Sequence, residues 1–225
     1  MITRSTVEAV QHHAQQEAFK EWREYHATKT PMAVFYDSKE QHLSAVARQA
    51  RPGTISQFGV DGGATLRLLA AQFGKRRVWG FDAWHKKGPG LPETWTGNID
   101  HSRHFTWTRE EYKRLRASMP KNVRLKVGLF EKDTIQRTMS DTPASVIHID
   151  SDTYSPAKLV LDAMSRNIVP GTRIVFDEYA NYPGWRHHEH KAWQEFCTEH
   201  KVKYEYTGIA HMDVSVLVKS IAKKD

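Results

Sequence analysis

"SVIHIDSDTYSP", residues 145–156, decides the fold. Its first half is an apolar, β-branched run of the kind that forms a strand buried on both faces. It ends in Asp150 and Asp152, two carboxylates a single residue apart. Burying an unpaired carboxylate is costly, so acids at the end of a core strand imply a crevice, a cation or a ligand there.

Outward from this stretch, from Pro52 onward, short β-rich runs alternate with helical ones. They are "TISQFGV", "TLRLLAAQF", "RVWGFDAW", "TREEYKRLRASM", "NVRLKVGLF", "ASVIHID", "AKLVLDAMSRNI", "TRIVFDEY", "HKAWQEFCTEH", "KYEYTGIA" and "MDVSVLVKS". Such alternation predicts βαβ units in an α/β, Rossmann-like fold, with a mostly parallel sheet and helices on both faces. The last two β-runs have no helix between them, which predicts an antiparallel C-terminal hairpin at the sheet edge. Upstream, residues 5–27 lack Gly and Pro and place Val7, Val10, Ala14, Ala18, Trp22 and Tyr25 at three- or four-residue steps, an amphipathic helix. A second helix is predicted from Ser38 to about Gln49. Residues 1–50 are therefore expected to be a helical segment packing on or capping the active site, and 51–225 the Rossmann-like domain, in one domain overall.

Composition sets the outer limits. Apolar residues make up 39% of the 225 and charged residues 26%, with seven Trp, which fits a globular chain and excludes a disordered one. No apolar run approaches the roughly 20 residues of a membrane span, and "MITRSTVEAV" lacks the apolar core of a signal peptide, so a cytoplasmic protein is expected. The lone Cys197 rules out an intrachain disulfide and fits a reducing compartment. A net charge of +7 admits nucleic acid or an anionic small molecule as partner. The basic residues are scattered, however, over "GKRR", "HKKG" and "KSIAKK", as on a solvated surface.

Ligands of open α/β sheets sit outside the carboxyl ends of the strands. The first strand ends in "FGVDGGAT", where Gly59, Gly62 and Gly63 precede a helix. Glycines there let the backbone turn sharply and approach a ligand, although an ordinary β-to-α loop would read the same. The spacing is not G-x-G-x-x-G, so a nucleoside without a pyrophosphate fits better than a dinucleotide. The second strand ends in Asp82, placed to meet ribose hydroxyls or, alternatively, to cap the next turn.

The strand "TRIVFDEY" ends in Asp177 and Glu178. Neighbouring parallel strands lie about 4.8 Å apart, so these acids and those of the opening stretch converge on one volume. Their repulsion calls for a cation, and an all-oxygen set suits Mg²⁺, Mn²⁺ or Ca²⁺ rather than Zn²⁺. The alternative is one acid at a helix N-cap and another paired with Lys158 or Arg186. In "NYPGWRHHEHKAW", His187, His188 and His190 flank Glu189. They read as a zinc site or as a polar loop bordering the cleft with an imidazole on the substrate. The stretch 85–108 exceeds normal connection lengths and is expected to form a lid or recognition loop, with Trp84, Trp95 and Trp107 walling the site or packing the loop down.

With these residues assembled, the chain resembles the class I methyltransferases that use S-adenosylmethionine, and more narrowly the macrocin O-methyltransferase (TylF/MycF) family of metal-dependent sugar methyltransferases. The resemblance is carried by "FGVDGGAT", "GFDAWHKKGPGLPETW", "LKVGLFEKDTI", "HIDSDTYSPAK" and "PGTRIVFDEYANYPGW", in family order over about residues 54–196. It implies a seven-stranded sheet with a reversed last strand. It places the cofactor over Gly59, Val60, Asp61, Gly62 and Gly63, with Asp82 at the ribose and Gly128, Leu129 and Phe130 near the adenine. Gln57, Thr65, Ala83 and Asp150 complete the implied cofactor set, and Asp150, Asp177 and Glu178 match the metal-ligand positions. Gln57 stands where the family often has an acid, and Glu178 where Asp or Asn is common.

The expected chemistry is in-line methyl transfer to a hydroxyl of a small molecule, a sugar or glycosylated metabolite, with Asp150 or a cleft histidine, His187 or His188, accepting the proton. A homo-oligomer is compatible with the resemblance. The rival readings are methyl transfer to a small amine, an Asp-x-Asp glycosyltransferase holding Mn²⁺ against a diphosphate, and a non-catalytic RNA-binding module with steeply salt-dependent binding.

Overall fold

The computed structural model describes residues 4–84 and 107–222. Alternating strands and helices build one sheet with both faces covered. In chain order the strands are β1 (Val34–Phe35), β2 (Thr54–Phe58), β3 (Val78–Asp82), β4 (Val123–Val127), β5 (Ala144–Ile149), β6 (Arg173–Phe176), β7 (Lys203–Ala210) and β8 (Asp213–Ser220). The helices are α1 (Arg4–Lys29), α2 (Lys39–Arg48), α3 (Ala64–Gln72), α4 (Arg109–Ser118), α5 (Lys132–Met139), α6 (Tyr154–Met164) and α7 (Glu189–Glu199).

The spatial strand order is β1-β7-β8-β6-β5-β2-β3-β4. Strands β4, β3, β2, β5 and β6 are mutually parallel, and β8 runs antiparallel to both β6 and β7. The sheet thus has the expected α/β architecture with a reversed last strand, but eight strands rather than seven. The extra strand, β1, pairs Val34 with Gly208 and Phe35 with Ile209, outside the C-terminal hairpin. A strand of two residues is too short for period-2 alternation to reveal it.

Strand alternation sorts the core into two layers. On one face Ile147, Ile149, Ile174 and Phe176 pack beneath α5, α6, α7 and the C-terminal half of α1, with Trp185 and Trp193. On the other, Ile55, Val78, Val146 and Val175 meet α2, α3 and α4. All six residues of β5 are buried, as its unbroken run predicts. A fully buried side chain of this size contributes roughly 1.5–3 kcal/mol.

The predicted first helix forms, but its stripe is buried only from Ala18 onward. Val7 and Val10 remain 46% and 63% exposed. The buried half packs Trp22 edge-on to Trp185, with centroids 5.7 Å apart, and Gln15 Nε2 donates to the Asn181 carbonyl at 2.9 Å. The second helix begins where its cap dictates: Ser38 Oγ accepts the Gln41 N–H at 3.2 Å. That cap fixes Lys39 in the first turn, at the carboxyl end of the sheet.

Candidate active site

The turn from β2 to α3 lies in backbone contact with the end of β5. The Asp150 N–H donates to the Phe58 carbonyl at 2.8 Å, and a Cβ on Gly59 would lie 1.5 Å from the Asp150 carbonyl oxygen. Only glycine fits there, at φ 89°. A Cβ on Gly62 or Gly128, by contrast, would meet no atom of the described residues within 4 Å. Leu129, beside Gly128, is an apolar side chain left 48% exposed. Phe130 packs edge-on to Phe58.

Asp82 holds this turn in shape. Its Oδ2 accepts the N–H groups of Val60 at 2.7 Å and Asp61 at 2.8 Å, and its Oδ1 accepts the Trp84 N–H at 3.3 Å. Carboxylate oxygens have about four lone-pair sites, so these bonds leave capacity for a ligand hydroxyl. Two tryptophans pin the neighbouring residue: the Trp84 indole N–H donates to the Asp61 carbonyl at 3.0 Å and that of Trp107 to Asp61 Oδ1 at 2.8 Å. Trp95 and the rest of 85–106 lie outside the described residues. Thr65 and Ala83 are half-buried at the start of α3 and after β3. Gln57 is buried, and its Nε2 donates to the Gly59 carbonyl at 2.8 Å and to Asp150 Oδ2 at 3.3 Å.

Acids crowd the ends of β5 and β6. Oxygens of Asp150, Asp152 and Glu178 lie within 4.8 Å of one another. Asp150 also belongs to a second such group, with His148 and Asp177. Asp177 turns toward α2: Lys39 Nζ donates to its two oxygens at 2.6 and 2.8 Å and lies 3.7 Å from Asp213 Oδ1. His148 Nε2 lies 3.4 Å from Asp177 Oδ1. Glu178, one residue on, is buried, and its Oε2 has no hydrogen-bond partner among the described residues.

Electrostatics separate these acids. Burial raises Asp177, but hydrogen bonding and charge from His148 and Lys39 outweigh it and hold the carboxyl well below the usual range. Burial, then the charges of Asp177 and Asp152, push Asp150 well up. Glu178 is raised by burial, Asp177 and Glu189. Asp213 is pushed up to about 8 by burial and Asp177. Burial would lower Lys39, yet Asp177 and Asp213 keep it raised and firmly charged.

Sequence reading missed the partners of these acids. It offered Lys158 or Arg186 as the cation, but Lys39 is the cation found, across a sequence separation of 138 residues that no local pattern reports. Glu189, noticed only as a neighbour of histidines, is fully buried and joins the two acidic turns: its Oε1 accepts the Ser151 N–H at 3.2 Å and its Oε2 the Glu178 N–H at 3.1 Å. His148 could have been found, because period 2 puts it on the same face as Asp150. The histidine cluster splits up. His187 is exposed on the 3₁₀ turn Trp185–His187, His188 stacks on Tyr182, and His190 is buried among the rings of Tyr25, Tyr179 and Trp185.

The sequence matches the profile of a family described as "Methyltransferase domain" over residues 56–179, more than half of the chain. The chain belongs to this family. The matched span runs from β2 to just past Glu178, so it contains the glycine turn, Asp82 and the acids. This methyltransferase is also similar in fold to solved structures. One is the calicheamicin methyltransferase CalS11, at 18% identity and a TM-score of 0.61, covering 96% of this chain and 94% of that one. Another is the O-methyltransferase NovP, at 18% identity and a TM-score of 0.60, covering 81% and 79%. A third is the S-adenosylhomocysteine-bound PaMTH1 of Podospora anserina, at 14% identity and a TM-score of 0.51, covering 98% of each. None of the curated proteins compared matches the sequence. The enzyme class expected from the motifs, a methyltransferase using S-adenosylmethionine, is thus the one the family represents, and no helix among the described residues is long and apolar enough to cross a membrane.

Proposed function

We propose that this enzyme is an S-adenosylmethionine-dependent O-methyltransferase of the macrocin O-methyltransferase type, acting on a hydroxyl of a small molecule with the help of a divalent cation. The observation that carries the reading is the meeting, at one end of the sheet, of an open glycine turn and a nest of buried acids. The described residues fit the cofactor: Gly62 and Gly128 border open space, Leu129 offers an uncovered apolar face to a flat ring, and Asp82 retains lone pairs for ribose. They fit a hard cation too, because the donors are oxygens and Glu178 Oε2 is buried without a partner among the described residues. A sugar is the preferred acceptor class, by analogy with CalS11, whose apo form is described as a TDP-rhamnose 3'-O-methyltransferase and matches with a TM-score of 0.52.

S-adenosylmethionine would supply a methyl group on a sulfonium, and a cation, which Asp150, Asp177 and Glu178 would hold, would supply a charge that lowers the pKa of an acceptor hydroxyl. The chain's own residues do the rest by positioning. Gly59 brings the cofactor turn against Asp150, and Asp82 fixes that turn through the N–H groups of Val60 and Asp61. Asp150, which belongs to both groups of acids, accepts the acceptor's proton. His187 or His188 is the alternative acceptor of that proton. The helical segment before residue 50 caps the site, with α1 laid against Asn181 and Trp185.

Calorimetric titration with S-adenosylhomocysteine, with and without Mg²⁺, tests the reading. Binding in the micromolar range or tighter is expected. Its absence sinks the methyltransferase chemistry, whereas turnover unchanged by chelator sinks only the cation.

A further inference from the structure

Strand β6 pairs antiparallel with β8, with Phe176 opposite Val214, so the following residue, Asp177, comes level with Asp213. Like charges opposed on neighbouring strands repel, and Lys39 is the cation set between these two. We infer that Lys39 has two docks: it neutralises Asp177 until the cation of the proposed function, on which this inference rests, engages that carboxylate, and it then passes to Asp213.

The two carboxylates are not equally served. Lys39 Nζ donates to both oxygens of Asp177, at 2.6 and 2.8 Å, but lies 3.7 Å from Asp213 Oδ1, beyond hydrogen-bond distance. Asp213 is only 4% exposed, and its Oδ2 has no hydrogen-bond partner among the described residues. A buried carboxylate oxygen in that state has lost its water with nothing in exchange. A shift of the ammonium by about 1 Å would give Asp213 a hydrogen bond of ordinary length. Lys39 is built for such a shift: the Ser38 cap fixes its backbone in the first turn of α2, while its side chain is a flexible four-carbon stem, 36% exposed.

A cation on Asp177 requires that movement. Both oxygens of Asp177 accept from Lys39, so a cation would share one carboxylate with an ammonium, and like charges that close repel. Asp213 offers the displaced ammonium a counter-charge from β8, a strand that contributes none of the acids assigned to the cation. Lys39 and Asp213 are therefore positioning residues, which act on the cation through Asp177.

The test is a double-mutant cycle in Mn²⁺ affinity, read from the electron paramagnetic resonance of free Mn²⁺ with the full chain saturated with S-adenosylhomocysteine. The affinity for S-adenosylhomocysteine itself reports that each variant is folded. Asp213→Asn keeps the shape of the side chain and is expected to weaken Mn²⁺ binding by tenfold or more. Lys39→Met removes the competing ammonium and is expected to tighten it by threefold or more. Added to Lys39→Met, Asp213→Asn should change the affinity by less than threefold, because no ammonium is left to receive. Lys39→Gln takes the place of Lys39→Met in the cycle if the latter fails to fold. An Asp213→Asn penalty as large without the lysine as with it overturns the inference, since Asp213 would then act only as a distant charge. So does a folded Lys39 variant that binds Mn²⁺ no more tightly than the wild type, or an Asp213→Asn protein within threefold of it. A wild-type protein that binds S-adenosylhomocysteine but, like its Lys39 variants, no Mn²⁺ overturns the cation and the two docks together, and leaves the methyltransferase reading standing.

Discussion

Gly59 and Asp150 touch through their backbones, so the cofactor turn and the acid cluster are parts of one rigid junction: a Cβ on the glycine would stand 1.5 Å from the aspartate's carbonyl oxygen. Gly59→Ala must push β2 from β5 and strain φ as well. A loss of about 3 kcal/mol or more is expected in urea unfolding. Gly62→Ala meets no atom among the described residues and should unfold like the wild type while weakening S-adenosylhomocysteine binding. Equal damage from the two substitutions would contradict the different roles assigned to these glycines.

Glu189 should matter more to stability than to chemistry. Glu189→Ala leaves the Ser151 and Glu178 amides, both inside the acid cluster, without their acceptor. Each orphaned amide costs about 1–3 kcal/mol, and urea denaturation reads the sum. A variant as stable as the wild type would mean that water replaces the carboxylate without penalty.

Asp82 offers a finer comparison. Asp82→Ala removes the acceptor of two turn amides and of Trp84 at once, whereas Asp82→Asn keeps one oxygen for them. We expect S-adenosylhomocysteine affinity to fall by more than a hundredfold in the first and by roughly tenfold in the second, consistent with about 1.4 kcal/mol per decade. Indistinguishable affinities would show that the carboxylate serves something other than the turn.

Acid should destabilise the fold through two histidines. Burial, assisted by His148, lowers His42 to about 4, and burial, assisted by Arg186, lowers His190 to about 4. The unfolded chain binds these protons as pH drops below about 6.5, while the folded chain resists them until about pH 4. Stability is therefore lost between those limits as pH falls and is unaffected by these groups above them. His190→Phe keeps a ring among Tyr25, Tyr179 and Trp185, so it should flatten part of that slope in unfolding measurements at pH 7, 6 and 5.

What the sequence made legible was whatever depends on short-range pattern. The unbroken run through Ile149 announced a core strand, and the acids after it announced a site. Glycine spacing before α3 and Asp82 at the end of β3 pointed to where a nucleoside is expected to lie. The hidden parts depend on chain segments far apart. Lys39 reads locally as no more than the first turn of a helix, and only the sheet order brings it to Asp177. β1 escaped because two residues cannot show a period. The histidine run separates for a related reason: clustering in sequence says nothing of rotation, and a 3₁₀ turn followed by α7 leaves His187 exposed and His190 buried.

The placement of β8 between β6 and β7 bears on biogenesis. Lys39 from α2 and Asp213 from the first residue of β8 meet at the same ion pair, so the electrostatic balance of the cleft waits on a strand near the far end of the chain. A nascent polypeptide that has emerged only through β6 already carries Lys39 and Asp177 but lacks Asp213 and the strand that pairs with β6. Closing a loop this long is entropically slow, which makes assembly of the cleft a late step in folding. A truncation before β8 should consequently yield a species that chaperones hold, not a smaller enzyme.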